Sequence, residues 1–277
     1  MKAGVFITRK KDGAPLYRAS ITVKDKHISL GSYPSEALAH SAYLKAKEVL
    51  SSHKDLFTFV DEYREEKKSP LPFEKAVILL NLRDSGVYFK TPIYLEKRSF
   101  LYLFSPDIIY TFDNDDLFYY SNHKLMKRGE HLFVADYGSQ VNVLSRYGIK
   151  PHAVKGRDYI FVNGDETDLR YHNIEIVNRF KGVTKQVKNG REVYTVRIHV
   201  NGDLIVGRYN DEISAAAAYN KAAILLKRKG VKINFGQNYL DGMSEIEYVA
   251  LLNKVRVSES IRNYAAPEKS DRKEENQ

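Results

Sequence analysis

Between residues 159 and 179 the chain gathers Asn163, Asp165, Asp168, His172 and Asn173. Side chains of these types, set this close, could hold a divalent cation on a phosphate ester and take a proton from an attacking water. Each also has a plainer use. Asn163-Gly164-Asp165 has the composition of a loop, and Asp165 and Asp168 both read as turn or cap residues. His172 suits a surface or capping position, and Asn173 suits the closing of a backbone turn. Further upstream, His123 and His131 are also available. No phosphate-cradling glycine loop, dinucleotide-binding glycine pattern, HExxH or nucleophile elbow occurs elsewhere. There is no cysteine, which removes disulfides, thiolate zinc sites and thiol catalysis together.

The second chemistry is cationic. The net charge is +9, and it is unevenly spread. Residues 1–54 hold 10 Lys/Arg against 4 Asp/Glu, and residues 178–232 hold 12 against 4. The remainder is net acidic. Two basic segments around an acidic spacer imply a polyanionic partner, with nucleic acid the first candidate and an anionic membrane the second. At 43% hydrophobic and 29% charged residues, the chain can bury a core, which excludes general disorder. No run approaches the roughly 18–20 apolar residues of a membrane span, and the first residues form no apolar signal core. A cytoplasmic protein without a membrane partner is expected.

The elements that would position these cations are duplicated. The first copy runs Gly4-Val5, YRASITV (17–23), ISLGSY (28–33) and SEALAHSAYLKA (35–46). The second runs Gly182-Val183, YTVRIHV (194–200), LIVGRY (204–209) and DEISAAAAYNKA (211–222). Tyr17 and Tyr194 are 177 apart, whereas Gly31/Gly207, Tyr33/Tyr209, Glu36/Glu212, Tyr43/Tyr219 and Lys45/Lys221 are each 176 apart. Each copy predicts three short strands and a helix. Tyr194, Val196, Ile198 and Val200 alternate with Thr195, Arg197 and His199, and Tyr17, Ala19, Ile21 and Val23 alternate with Arg18, Ser20, Thr22 and Lys24. Asn201-Gly202 is a hairpin signal that Lys24-Asp25-Lys26 replaces in the first copy. Ser35 and Asp211 are N-cap candidates, and Ala39/Ala42 and Ala215/Ala218 let the helix lie close on the apolar face. The opposite face is left polar and basic, a shape that suits a major groove.

The pattern G-V…Y-x-V-x-I…G-x-Y-x-x-E-x-x-A-x-A-Y-x-x-A, ending at Ile233-Asn234-Phe235, resembles the DNA-binding domain of plant ethylene-response factors. This is the Apetala-2 type, which also occurs in phage homing endonucleases. That family docks its sheet in the major groove of double-stranded DNA. By position, the resemblance implicates Lys181, Thr184, Thr195, Arg197, His199 and Arg208 in the second copy, and Arg18, Ser20, Thr22 and Ser32 in the first.

Residues 159–179 resemble the second half of the HNH endonuclease motif of phage homing enzymes. Asn163, Gly164, Asp165, Arg170, Asn173, Ile174 and Val177 stand where that pattern wants them. In register, Ile160 replaces the metal aspartate, Phe161 the base histidine and Gly182 the last asparagine. Residues 141–146 represent the upstream segment, again without histidine. Neither isoleucine nor phenylalanine binds a metal or takes a proton, so no catalytic residue, metal ligand or cofactor is expected. The resemblance implies a DNA-binding protein derived from a homing endonuclease, acting as a repressor or regulator in a phage or mobile element. An active divergent HNH nuclease or nickase and a protein-interaction module are the alternatives.

The expected fold is α+β, with two sheet-plus-helix modules flanking a degenerate ββα middle domain. The expected segments are a first module at 1–54, a helical connector at 55–91 and the middle domain at 92–179. A second module at 180–240, a C-terminal helix at 241–264 and a disordered tail at 265–277 follow. Residues 69–72 (SPLP) mark a break, and residues 76–80, 100–104 and 131–135 read as strand-like. Residues 118–120 read as aromatic core, and residues 243–252 as a helix docked on the second module.

Overall fold

The computed structural model describes residues 1–9, 11–66 and 68–265. Among these the protein is mixed α+β, with seven helices and several small antiparallel sheets. It divides into two compact units, one of residues 1–147 and 161–174, the other of residues 148–160 and 175 onward. The borders expected near 91/92 and 179/180 do not follow this division. From residue 266 the expected tail lies outside the described residues.

In the first unit, β1 (Val5–Arg9), β2 (Pro15–Val23) and β3 (Lys26–Tyr33) form an antiparallel meander. Lys24 and Asp25 both take positive φ in the β2–β3 turn, the conformation a two-residue hairpin requires. Helix α1 (Glu36–Ser51) starts at Ser35, whose side chain accepts from the Leu38 N–H. Its Ala39, Ala42 and Ala46 are wholly buried against the sheet's Val5, Ala19, Ile21, Ile28 and Leu30. Helices α2 (Leu56–Glu65), capped by Asp55, and α3 (Phe73–Ser85) complete that core.

The strand-like reading of residues 76–80 is corrected, because they lie inside α3. A short apolar run does not distinguish a buried strand from a helix buried on all sides. Ala76 to Leu82 are all buried, since α3 packs on α1 and also on β4 (Ile93–Leu95) and β5 (Ser99–Ser105). This double contact joins the first module to the sheet β4–β5–β6, where β6 is Ile108–Asp113. Helix α4 (Leu117–Asn122) follows, then the sheet of β7 (Leu125–Arg128), β8 (His131–Asp136) and β9 (Ser139–Asn142). Strands are thus present at 100–104 and 131–135, as expected. Of the aromatic run in α4, Tyr120 is fully buried on Phe100 and Phe112, but Phe118 is exposed.

Strands β10 (Tyr159–Phe161) and β11 (Ile174–Ile176) pair, with only a single 3-10 turn, Tyr171–Asn173, between them. The ββα unit expected here is not formed, because no α-helix closes it and β11 leads into β12. Loop side chains satisfy the backbone groups instead, the competition that disfavours helix.

In the second unit, β12 (Val183–Lys188), β13 (Arg191–His199) and β14 (Asp203–Tyr209) form the second meander. Helix α5 (Glu212–Arg228) is capped by Asp211 and buries Ala215, Ala216, Ala217, Ala218 and Ala222. Even the irregularity is duplicated: the β2/β3 register shifts after Ala19 and the β13/β14 register after Val196, which inserts Leu30 and Val206 into the core. Helices α6 (Glu245–Lys254), with a Ser244/Glu247 capping box, and α7 (Glu259–Arg262) then pack on the module.

The duplication extends past the similar sequence. α2 and α6 each have ten residues, and after each the chain runs on to another helix. The Tyr33 hydroxyl donates to the Pro70 carbonyl and the Tyr209 hydroxyl to the Arg256 carbonyl. Both acceptors lie two residues before the N-cap of the next helix, and Leu71 and Val257 beside them are buried.

Gly4 and Gly182 explain their own recurrence. Both have positive φ, and a Cβ on either would lie 2.1 or 2.5 Å from the ring of Tyr43 or Tyr219. Gly190 has the same backbone conformation with open space around it. Gly190→Ala should therefore cost about 1–2 kcal/mol of backbone strain. Gly182→Ala should cost roughly 1–3 kcal/mol more from overpacking, read as paired urea unfolding curves.

Candidate nucleic-acid interface

Each meander has one face against its helix and one open. In the second unit the open face carries Thr184, Thr195 and Arg208 in one cross-strand row, then Arg197 beside Ile205, then His199 beside Asp203. Arg197 and His199 are exposed, while Val196 and Ile198 between them are buried, as the alternation requires. Lys181, Thr184, Arg197 and His199 share a groove of about 400 Å³ with Asp203, His152 and Arg157. Arg208 opens instead on a groove of about 430 Å³ with Lys254 and Arg256.

Thr195 is corrected as a contact residue. It lies on the middle strand between Thr184 and Arg208, is 2% exposed, and its Oγ1 has no partner. Ser20 is likewise closed off, at 7% exposure on the middle strand of the first sheet. A short side chain there forms the floor of the face rather than its reach. Arg18, Thr22 and Ser32 are exposed. The cations of these faces are uncommitted: among the described residues Arg18, Lys181, Arg197 and Arg208 make no ion pair with a carboxylate, whereas Arg179 pairs with Glu212 and Lys185 with Glu192. His199 pairs with Asp203 at 2.9 Å.

Four features escape the sequence reading. Phe6 and His27 stand on the open face of the first sheet and meet edge to face at 6.4 Å. Phe6 was within reach of the alternation rule, since buried Val5 precedes it. His152 and Arg157 lie far from β12 in sequence and reach the groove through backbone bonding. Asp158 is buried, accepts from the Val154 N–H and the Arg157 guanidinium, and its carbonyl accepts from the Asn178 N–H, while Asn178 Oδ1 accepts from the Lys185 N–H of β12. Burial first and Lys181 second hold the His152 imidazole below its ordinary pKa.

A second polar lock fixes Lys181. Asn238 accepts from the Lys181 N–H and donates to its carbonyl, and its own backbone is bonded both ways by Asn220. Asparagine is a poor choice inside an alanine-rich helix, so Asn220 was the legible half of that lock.

The candidate metal and base residues have other partners. Asp165 accepts from the Thr167 N–H and hydroxyl, and the Asn163 side chain from the Asp165 N–H, which is turn chemistry. Asp168 does the turn chemistry expected of it, accepting from the Arg170 N–H, and is also a buried ion-pair partner, with the Arg170 guanidinium on both oxygens at 2.7 Å and the Asn163 amide at 2.9 Å. Asn173 closes the loop by donating to the Asp165 and Asp168 carbonyls, and His172 is exposed. His123 bonds the Tyr119 carbonyl and Asp136. Arg146 of the upstream segment pairs with buried Asp116 and lies over the Tyr119 ring. Among the described residues no three His, Cys, Asp or Glu side chains are grouped to hold a metal. Gly182 has no room for any β-carbon, which would lie 2.4 Å from the Arg197 carbonyl and 2.5 Å from the Tyr219 ring, so packing excludes asparagine there. Among the described residues no helix is long and apolar enough to cross a membrane.

Compared with known protein families, curated proteins and solved structures, the chain matches none.

The Arg170 hydrogen bonds hold the Asp168 carboxyl below the ordinary carboxylate pKa. A lowered folded pKa adds stability that is present above the unfolded value of about 4 and lost as pH falls through the folded one. Asp168→Asn should lower the melting temperature at pH 7 by roughly 5–10 °C. The gap to wild type should shrink below pH 4 in thermal melts across pH.

Proposed function

We propose that the protein is a sequence-specific double-stranded DNA-binding protein. In this reading the open faces of its two meanders enter the major groove, and it acts by occupying its site, as a repressor or other regulator. The observation that carries this reading is the duplicated open sheet face, on which Arg18, Arg197 and Arg208, with Lys181 in the groove beside Arg197, have no carboxylate partner among the described residues. Structural cations are usually tied to acids, as Arg146, Arg157 and Arg170 are here. Guanidinium groups left unpaired on a strand suit bidentate contact with guanine, and an unpaired lysine beside them suits a phosphate. Resemblance to Apetala-2 domains and to HNH homing enzymes supports the same partner and suggests descent from a phage or mobile-element endonuclease. The engaged side chains of Asp165, Asp168 and Asn173 favour binding without cleavage.

Selection of duplexes from a random library by the full chain, with Mg²⁺ present, tests both parts. A defined site should emerge, its affinity falling roughly 10³-fold or more between 50 and 200 mM salt, and the DNA should remain uncut. Arg197→Ala should weaken the selected site by roughly ten- to a hundredfold and relax one or two base pairs. Lys181→Ala should weaken all sequences alike and flatten the salt slope by about one unit. An unchanged preference in Arg197→Ala would remove the sheet face as the reading surface, and metal-dependent nicking abolished by Asp165→Ala would restore the nuclease.

A further inference from the structure

The two copies keep their inner faces and differ on their open ones. Val5/Val183, Ala19/Val196, Ile21/Ile198, Ala39/Ala215 and Ala42/Ala218 are all buried. On the open face the first row is Phe6, Arg18 and Ser32 in one copy, and Thr184, Thr195 and Arg208 in the other. The second row is Ser20 and Ser29 in one copy against Arg197 and Ile205 in the other. The guanidinium has therefore moved between strands, and Phe6 stands where its counterpart is a threonine. Phe6 is 54% exposed, beside Arg18 in register and edge-on to His27, whose ring is within 3.4 Å of the Thr22 hydroxyl. A phenyl ring left in water on a cationic face forgoes its burial energy unless the partner supplies an apolar surface. A polyanionic duplex presents one such group in its major groove, the 5-methyl of thymine.

We infer that Phe6 is a base-reading residue that packs on a thymine methyl, so that the two modules read unlike sequences and the target is not a palindrome. This inference rests on the DNA-binding reading above. His27 meets the ring edge to face, and Arg18, cross-strand from Phe6 in register, is free to take a neighbouring base or phosphate. The second module, with Arg197 and Arg208 at different positions, reads another part of the site.

The test uses the full chain and the site it selects. Wild type should require at least one thymine in the part of the site that Arg18→Ala also weakens. Replacing that thymine by deoxyuridine, which lacks only the methyl, should cost wild type about fourfold in affinity, the value of one buried methyl. Phe6→Ala should bind thymine and uracil sites equally, Phe6→Leu should keep part of the discrimination, and both should melt like wild type. A chain that selects no duplex overturns both readings. A selected site that is palindromic, or in which uracil costs Phe6→Ala as much as wild type, overturns this inference alone.

Discussion

A helix can lie flat on a three-stranded sheet only where nothing large stands between them, and both modules depend on meeting that condition. Alanines on α1 and α5 bring each helix onto its sheet, and Gly4 and Gly182 let a helix tyrosine lie directly on the backbone at the start of the first strand. Such close approach requires glycine, because any Cβ would occupy the ring's space. Once the helix covers one face, the other has no local partner. Its side chains then need satisfy only strand propensity and whatever binds there, which is why the two copies have diverged on that face and not on the other.

The same packing sets the outer limits of each module. Tyr33 and Tyr209 pack against the two cores, and the Tyr33 hydroxyl also donates to the Leu30 carbonyl of its own strand. Both hydroxyls fasten the chain just ahead of the next helix, Tyr33 at the Pro70 carbonyl and Tyr209 at the Arg256 carbonyl. In the second unit Ser258 continues this by donating from its N–H to the Val206 carbonyl of β14, which occupies part of an otherwise open sheet edge. In the first unit α3 begins at the same point but runs for thirteen residues and packs onward against β4 and β5. A short α7 in one copy and a long α3 in the other account for the different extent of the two units.

Between the two basic modules, polar side chains that could have done chemistry instead hold loops. Asp168, Asn173 and Asp116 are buried and held by Arg170, by two carbonyls and by Arg146 respectively. Removing a partner from any such pair leaves a buried polar group unsatisfied, at a cost larger than the pair's net contribution. Their conformational role is thereby sufficient reason for residue types that also occur in metal-dependent phosphodiester chemistry.

What the sequence determined by itself is what local chemistry determines: the strand alternation, the Ser35 and Asp211 caps, the hairpin positions and the repeat of small residues at sites of close approach. These rest on neighbours within a few positions, so one-dimensional spacing carries them. Tertiary structure alone decided the rest. Residues 76–80 became helix because burial on every side removes the periodicity that distinguishes helix from strand. Thr195 and Ser20 became floor rather than contact because exposure on a middle strand depends on the side chains of both neighbours. His152 and Arg157 reached the groove beside β12 through Asp158 and Asn178, bonds between segments some 20 residues apart, and no local pattern encodes a distance that only the folded chain closes.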